Sequence, residues 1–214
     1  ANGVEATLEL HPIINTSTGE FYPFLFNLDH DLKWSGSIQV QAGGFSEAAV
    51  IEKNGTGELI LAGPNTYSGP LEVNGGSLVL SNTTFDSGAV AIASGAELDL
   101  PVALVFAGDL TAEPGAKTTL YVDDDNPVLS GAGDLALAGT LQLDFDNYSG
   151  VISTGDTFTI IDSNWAGTTD NGLSVSAAHL PPFLTVDDSN LFIDGTVTIV
   201  ASRLSDQSLT LTVP

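Results

Sequence analysis

The sequence has no cysteine and no methionine. The missing cysteine excludes disulfides, thiolate metal ligation and a cysteine nucleophile. Both absences together leave little for oxidants to attack. Basic residues are scarce as well. Lys33, Lys53, Lys117 and Arg203 stand against 27 acidic residues, giving a net charge of -23. That balance argues against nucleic acid as a partner, because phosphates are bound by clustered Lys and Arg. It argues equally against anionic membrane surfaces. At seawater-like salt the Debye length falls to roughly 4 Å, so such self-repulsion is tolerable there. Long apolar runs are missing too. Stretches such as Val102–Phe106 are far too short for a membrane span, and no membrane insertion is expected. The first residue is Ala1 rather than Met, which fits a start left by signal-peptide removal.

Helical periodicity is also nearly absent, and strand periodicity takes its place. Alternation appears in VEATLEL (Val4, Ala6, Leu8, Leu10), SIQVQA (Ile38, Val40), ELILAG (Leu59, Leu61) and PLEVNG (Leu71, Val73). It returns in GSLVLSN (Leu78, Leu80), GAVAIAS (Val90, Ile92), AELDLP (Leu98, Leu100) and TTLYVD (Leu120, Val122). GDLALAG (Leu135, Leu137) and GTLQLDF (Leu141, Leu143, Phe145) follow, and DTFTIID, GLSVSA, GTVTIVA and SLTLTV close the series. Each run carries few inward residues, and the breaks use Gly, Asn, Ala and Ser, which suit tight corners. GTGELILAG, GAGDLALAG and NGGSLVLSN resemble one another. Short, self-similar strands at this spacing predict an all-β fold wound as a β-solenoid, with a β-sandwich as the alternative. The expected organisation is an N-terminal strand and aromatic cap over 1–36, a solenoid over 37–150 and a β-rich C-terminal portion over 151–214. The cap rests on FYPFLFNLDHDLKW, residues 21–34, which holds five of the 16 aromatics. Solenoid ends need such a lid.

One stretch says more. KNGTGELILAGPNTYSGPLEVNGGSLVL, from Lys53 to Leu80, resembles the passenger-associated transport repeat of bacterial autotransporters and related secreted proteins. The resemblance lies in Lys53, Gly55, Gly57, Leu59, Leu61, Gly63, Asn65, Thr66, Tyr67, Gly69, Val73, Gly75, Gly76 and Leu78. It implies a right-handed parallel β-helix on the bacterial surface, and an architectural rather than a catalytic role. No outer-membrane barrel pattern follows in this sequence. The final SLTLTVP resembles the start of a Val-Pro-Glu-Pro sorting tail.

Candidate chemistry is thin. VDDDNP places Asp123, Asp124 and Asp125 in a turn, where Ca²⁺ could find oxygen ligands; solvated turn residues are the plainer reading. LDHD (Asp29, Asp31) and VDDSN (Asp187, Asp188) are weaker versions of the same pattern. No EF-hand loop accompanies them. Paired carboxylates for glycoside hydrolysis need a cleft, and uronic-acid substrates need basic partners that this chain scarcely has. Asp144 and Asp146 flank an inward Phe145 and read as an ordinary solvated face. His11, His30 and His179 lie near no nucleophile elbow and read as surface or capping residues. Sequons at Asn15, Asn54, Asn82 and Asn147 read as chance in an Asn- and Thr-rich bacterial chain. Tyr67 and Tyr148 are candidates for a carbohydrate-binding face.

The terminal strands carry the remaining signal. Val4, Ala6, Leu8 and Leu10 at one extremity, and Leu209, Leu211 and Val213 at the other, form clean alternating strands. Either can add to the sheet edge of a neighbouring copy. Head-to-tail contacts of that kind make open filaments. The sequence therefore predicts a non-enzymatic, secreted bacterial surface protein that assembles with itself into a filament, layer or matrix. An adhesin or carbohydrate-binding solenoid contacting surface polysaccharide is the second expectation, and a polysaccharide lyase or hydrolase the third.

Overall fold

The computed structural model describes residues 7–10, 24–34, 37–40, 50–63, 69–81, 88–123 and 129–202. In chain order the strands are β1 (Thr7–Leu10), β2 (Phe24–Asn27), β3 (Leu32–Trp34), β4 (Ser37–Val40), β5 (Ile51–Asn54) and β6 (Glu58–Leu61). They continue with β7 (Leu71–Val73), β8 (Ser77–Leu80), β9 (Val90–Ile92), β10 (Glu97–Leu100), β11 (Leu104–Phe106), β12 (Leu110–Ala112) and β13 (Lys117–Tyr121). The last are β14 (Leu129–Gly131), β15 (Asp134–Asp144), β16 (Thr157–Thr159), β17 (Gly167–Ala178), β18 (Leu184–Asp187) and β19 (Thr196–Ala201). No helix occurs among the described residues.

The parallel pairings make a β-solenoid, as the short alternating strands predict. One face stacks β2, β5, β7, β9, β12 and the first half of β15; the next stacks β3, β6, β8, β10, β13 and the second half of β15. β17 lies parallel to β15 along both halves. A third face pairs β11 with β14 and continues through a bridge from Leu129 to Ile161. Phe24–Asn27 and Leu32–Trp34, from the aromatic-rich segment, are themselves strands of the stack. Phe24, Phe26 and Trp34 pack half-buried against its core.

Period-two patterning sets the interior. Ile51, Leu71, Val90, Leu110 and Leu135 stand in register on the first face. Leu59, Leu78, Leu98, Thr118 and Leu141 do so on the second. A fully buried aliphatic side chain stabilises by about 1.5–3 kcal/mol, and a coil alone could not bury its own. Stacking is therefore what makes the fold stable.

The corner between the first two faces demands glycine. Gly55 has φ +79°, and a Cβ there would meet the Leu28 carbonyl oxygen at 2.3 Å. Gly139 has φ +75°, and its Cβ would lie 2.2 Å from the Ala116 carbonyl oxygen. Here β15 turns the corner as one strand, with its register to β17 shifting between Leu137 and Gly139.

Beyond the stack the chain changes style. β16, β19 and β18 form a three-stranded antiparallel sheet. Phe158 of this sheet meets Phe145 and Tyr148 edge-to-face, with ring centroids 5.3 Å and 5.4 Å apart. Both backbone amides of Ile160 and Ile161 donate to the Gly195 carbonyl, which ties the sheet to the third face.

Candidate functional site

Three places in the structure carry groups that alternation alone does not explain. The first is Lys53. Its position in β5 points inward, in register with Phe26 and Val73, so its stem sits in the aliphatic column. The residue is 0% exposed. The ammonium reaches the glycine corner and donates to the carbonyl oxygens of Asn54, Gly55 and Gly75 at 3.1, 3.2 and 2.9 Å. Burial lowers its pKa from the usual 10.5. Three carbonyl dipoles from two successive corners thus converge on one cation, linking β5 to the coil above.

The second place is the joint between solenoid and C-terminal sheet. Asp144 closes β15 and is 7% exposed. Its Oδ1 lies 2.6 Å from His179 Nδ1 and accepts from the Asp146 amide at 3.0 Å. His179 follows β17 directly and holds φ 59°, the one non-glycine positive φ among the described residues. The hydrogen bond and charge of Asp144 raise the imidazole pKa, with Asp146 adding to them. Asp144 and Asp146 do not form the one solvated face that their alternation predicts. Asp146 is exposed, but Asp144 is buried and partnered, because the chain turns back over it at His179. Phe145 is inward and buried, as its alternation predicts.

The third place is the end of the stack. β17 pairs with β15 on one edge, and no described strand pairs with its other edge. Beside it runs the turn after β18. Two concavities of about 290 and 360 Å³ lie between them and share Leu191 and Phe192 as lining. Leu173 and Val175 of β17 form the apolar side of one; Gly167 and Thr168 border the other. Asp162, Asp170, Asp188 and Asp194 line the two. Burial raises the pKa of Asp162, but hydrogen bonds from Ser130 and Asn164 outweigh it and hold the carboxyl below its ordinary value.

A smaller concavity of about 270 Å³ on the first face is lined by Glu72, Glu113, Ala91 and Thr111. Glu113 accepts from the Ser94 amide at 3.3 Å, so it also braces a corner.

Asp123 is half-buried just after β13, while Asp124 and Asp125 lie outside the described residues. No group of three or more His, Cys, Asp or Glu residues able to hold a metal occurs among the described residues. Asp31 accepts from the Glu58 amide at 3.0 Å, and Asp187 from the Ser189 amide at 3.1 Å, so both serve turns. Tyr148 packs against Phe158; Tyr67 and His11 lie outside the described residues, whereas His30 is exposed. Leu8 and Leu10 belong to β1, which pairs parallel to β4. Val4, Ala6, Leu209, Leu211 and Val213 lie outside the described residues. Sequence reasoning missed Lys53 as an inward residue, the Asp144–His179 pair and the free edge of β17. The first had a visible signal, since Lys53 sits two residues after Ile51 where an apolar residue belongs.

Comparison with known proteins agrees with the geometry of the central coils. Residues 51–80 match the passenger-associated transport repeat. The repeat spans β5 to β8, two adjacent coils and the corner that Lys53 fills. The chain is thus a β-solenoid that carries an autotransporter-passenger type of repeat. No curated protein and no solved structure matches the chain.

Proposed function

We propose that this chain is a non-enzymatic, secreted structural protein of the bacterial surface that assembles with itself into a filament, layer or matrix. The observation that carries this reading is the continuous parallel stack around the matched repeat. The passenger repeat supports export to the cell surface. The stack supports a rod-like role, because every coil exists to bury its neighbour's apolar face. Leu25 of β2, in register with Glu52, is an exposed apolar residue, whereas from β5 to β12 the outward positions on the first face are acids or small residues, Glu52, Glu72, Ala91 and Thr111, in register along the axis. Such a face is solvated and repels non-specific contact. Association then falls to the ends of the stack, where unpaired backbone is available. Calcium held by Asp123, Asp124 and Asp125 would bridge assembled copies.

Sedimentation velocity on the purified chain, with and without millimolar Ca²⁺, tests this reading. Concentration-dependent growth beyond the monomer supports it. A single monomeric species in both solutions at every concentration refutes it. Growth only with Ca²⁺ assigns the bridging role to the acidic turn.

A further inference from the structure

The free edge of β17 is the one long strand edge that the described structure leaves without a strand partner next to a groove, one lined by both acidic and apolar side chains. β17 has 12 residues, and its pairing to β15 uses only one side. The Gly172 and Leu173 amides donate to Asp170 Oδ1, and the remaining backbone donors and acceptors on the other side need partners. The groove beside it is built like a strand-accepting slot. Leu173, Val175, Leu191 and Phe192 supply apolar lining, and the turn after β18 forms the facing wall. An added strand would hydrogen-bond to β17 and place alternate side chains in the groove.

Charge selects the occupant. The slot is bordered by Asp162, Asp170, Asp188 and Asp194, so an acidic strand is repelled. The alternating N-terminal segment Val4–Leu10 carries Glu5 and Glu9. Ser208–Val213, SLTLTV, carries no charge and alternates Leu209, Leu211 and Val213. Of the two terminal strands, only this one suits the slot.

Position selects its source. Gly195, just before β19, borders the groove, whereas residues after 202 leave from the other end of β19. There the Ser202 amide is held by the Phe183 carbonyl at 2.8 Å. Return within one chain would need a reversal and about 17 Å of travel back along β19, at ~3.3 Å per residue. Another copy can deliver the segment without reversal. We propose that Ser208–Val213 of one copy adds as a strand to the free edge of β17 in the next copy. This rests on the self-assembly reading above and names its donor and acceptor.

The test compares the full chain with a chain truncated after Gln207, using sedimentation velocity and backbone hydrogen exchange. The full chain should assemble, with Gly167–Val175 amides exchanging at least tenfold more slowly than in the truncated chain. The truncated chain should be monomeric and should bind a synthetic Gln207–Pro214 peptide by fluorescence anisotropy. Leu211→Asp in that peptide should weaken binding at least tenfold. Circular dichroism of the truncated chain checks that the stack is retained. If it is lost, the comparison passes to the full chain carrying Leu211→Asp, which should likewise be monomeric with fast β17 exchange. Assembly without β17 protection overturns the donor–acceptor assignment and leaves the self-assembly reading standing. A monomeric full chain with β17 protected shows the segment bound within its own copy and overturns the exchange between copies. A monomeric full chain with β17 unprotected overturns both.

Discussion

Lys53 Nζ lies 2.9 Å from the carbonyl oxygen of Gly75, one coil further along the stack. A charged donor inside an aliphatic column thereby ties two corners together, with Asn54 and Gly55 as its other acceptors. Lys53→Met keeps the volume of the stem and strands those carbonyls. The expected loss is about 1–3 kcal/mol of stability, the usual cost of unsatisfied buried groups. Chemical denaturation reads it directly. The pH dependence has a definite sign. Burial holds the folded-state pKa below 10.5, so just below 10.5 the unfolded chain binds more protons. Wild type should gain stability relative to Lys53→Met as pH rises through that window.

Gly76 should tolerate no side chain. Its φ is +63°, and a Cβ would meet Gly57 O at 2.3 Å and Lys53 Nζ at 2.8 Å. Left-handed backbone costs a non-glycine residue on the order of 1–3 kcal/mol, before any clash is counted. Gly76→Ala should therefore lower the melting temperature by several degrees, at about 2–4 °C per kcal/mol for a chain of this size. Gly155→Ala is the control. It carries the same φ penalty, with φ +99°, but nothing lies within 4 Å of its Cβ. Differential scanning calorimetry should show the larger loss at Gly76.

The Asp144–His179 pair should make stability fall as pH rises above 6.5 through the raised imidazole pKa. The imidazole pKa is raised, first by its hydrogen bond to Asp144 and then by the charges of Asp144 and Asp146. A raised histidine pKa contributes stability that is complete below about 6.5 and is lost as pH rises through the folded-state value. His179→Gln should remove that slope from the denaturation midpoint. NMR titration should show the His179 pKa returning toward its ordinary value in Asp144→Asn.

Asp99 has the opposite consequence. Burial on the second face raises its pKa, and Glu97 adds to that, while Thr119 and Lys117 pull it down. The folded protein holds this proton more tightly than the unfolded chain. The ionised group therefore costs stability as pH rises through and above the carboxylate range. Asp99→Asn should raise the denaturation midpoint at pH 7, and the gain should vanish below pH 3.8, the ordinary value for an aspartate. A loss of stability at pH 7 would contradict the assignment.

The coils were legible wherever alternation was unbroken. Leu59 and Leu61, Leu78 and Leu80, and Leu98 and Leu100 alternate in sequence and are buried in the fold. β5 was not legible as a strand, because Lys53 occupies an inward position and hides the period. Its ammonium is accommodated by carbonyls of its own corner, Asn54 and Gly55, together with Gly75 of the next, a long-range partner that spacing cannot show. β18 and the antiparallel pairing around β19 were hidden for a related reason. Strand patterning gives the inward face but not the direction of the partner. Asp144 looked solvated because its partner His179 lies 35 positions away. The solenoid itself was readable because its repeats place like residues in register, and residues 51–80 carry enough of the passenger repeat to be matched.

Negative-stain electron microscopy of the purified full chain is the most direct test of the central claim. Elongated assemblies that lengthen with protein concentration are expected. Uniform single particles at every concentration, with and without millimolar Ca²⁺, would contradict it.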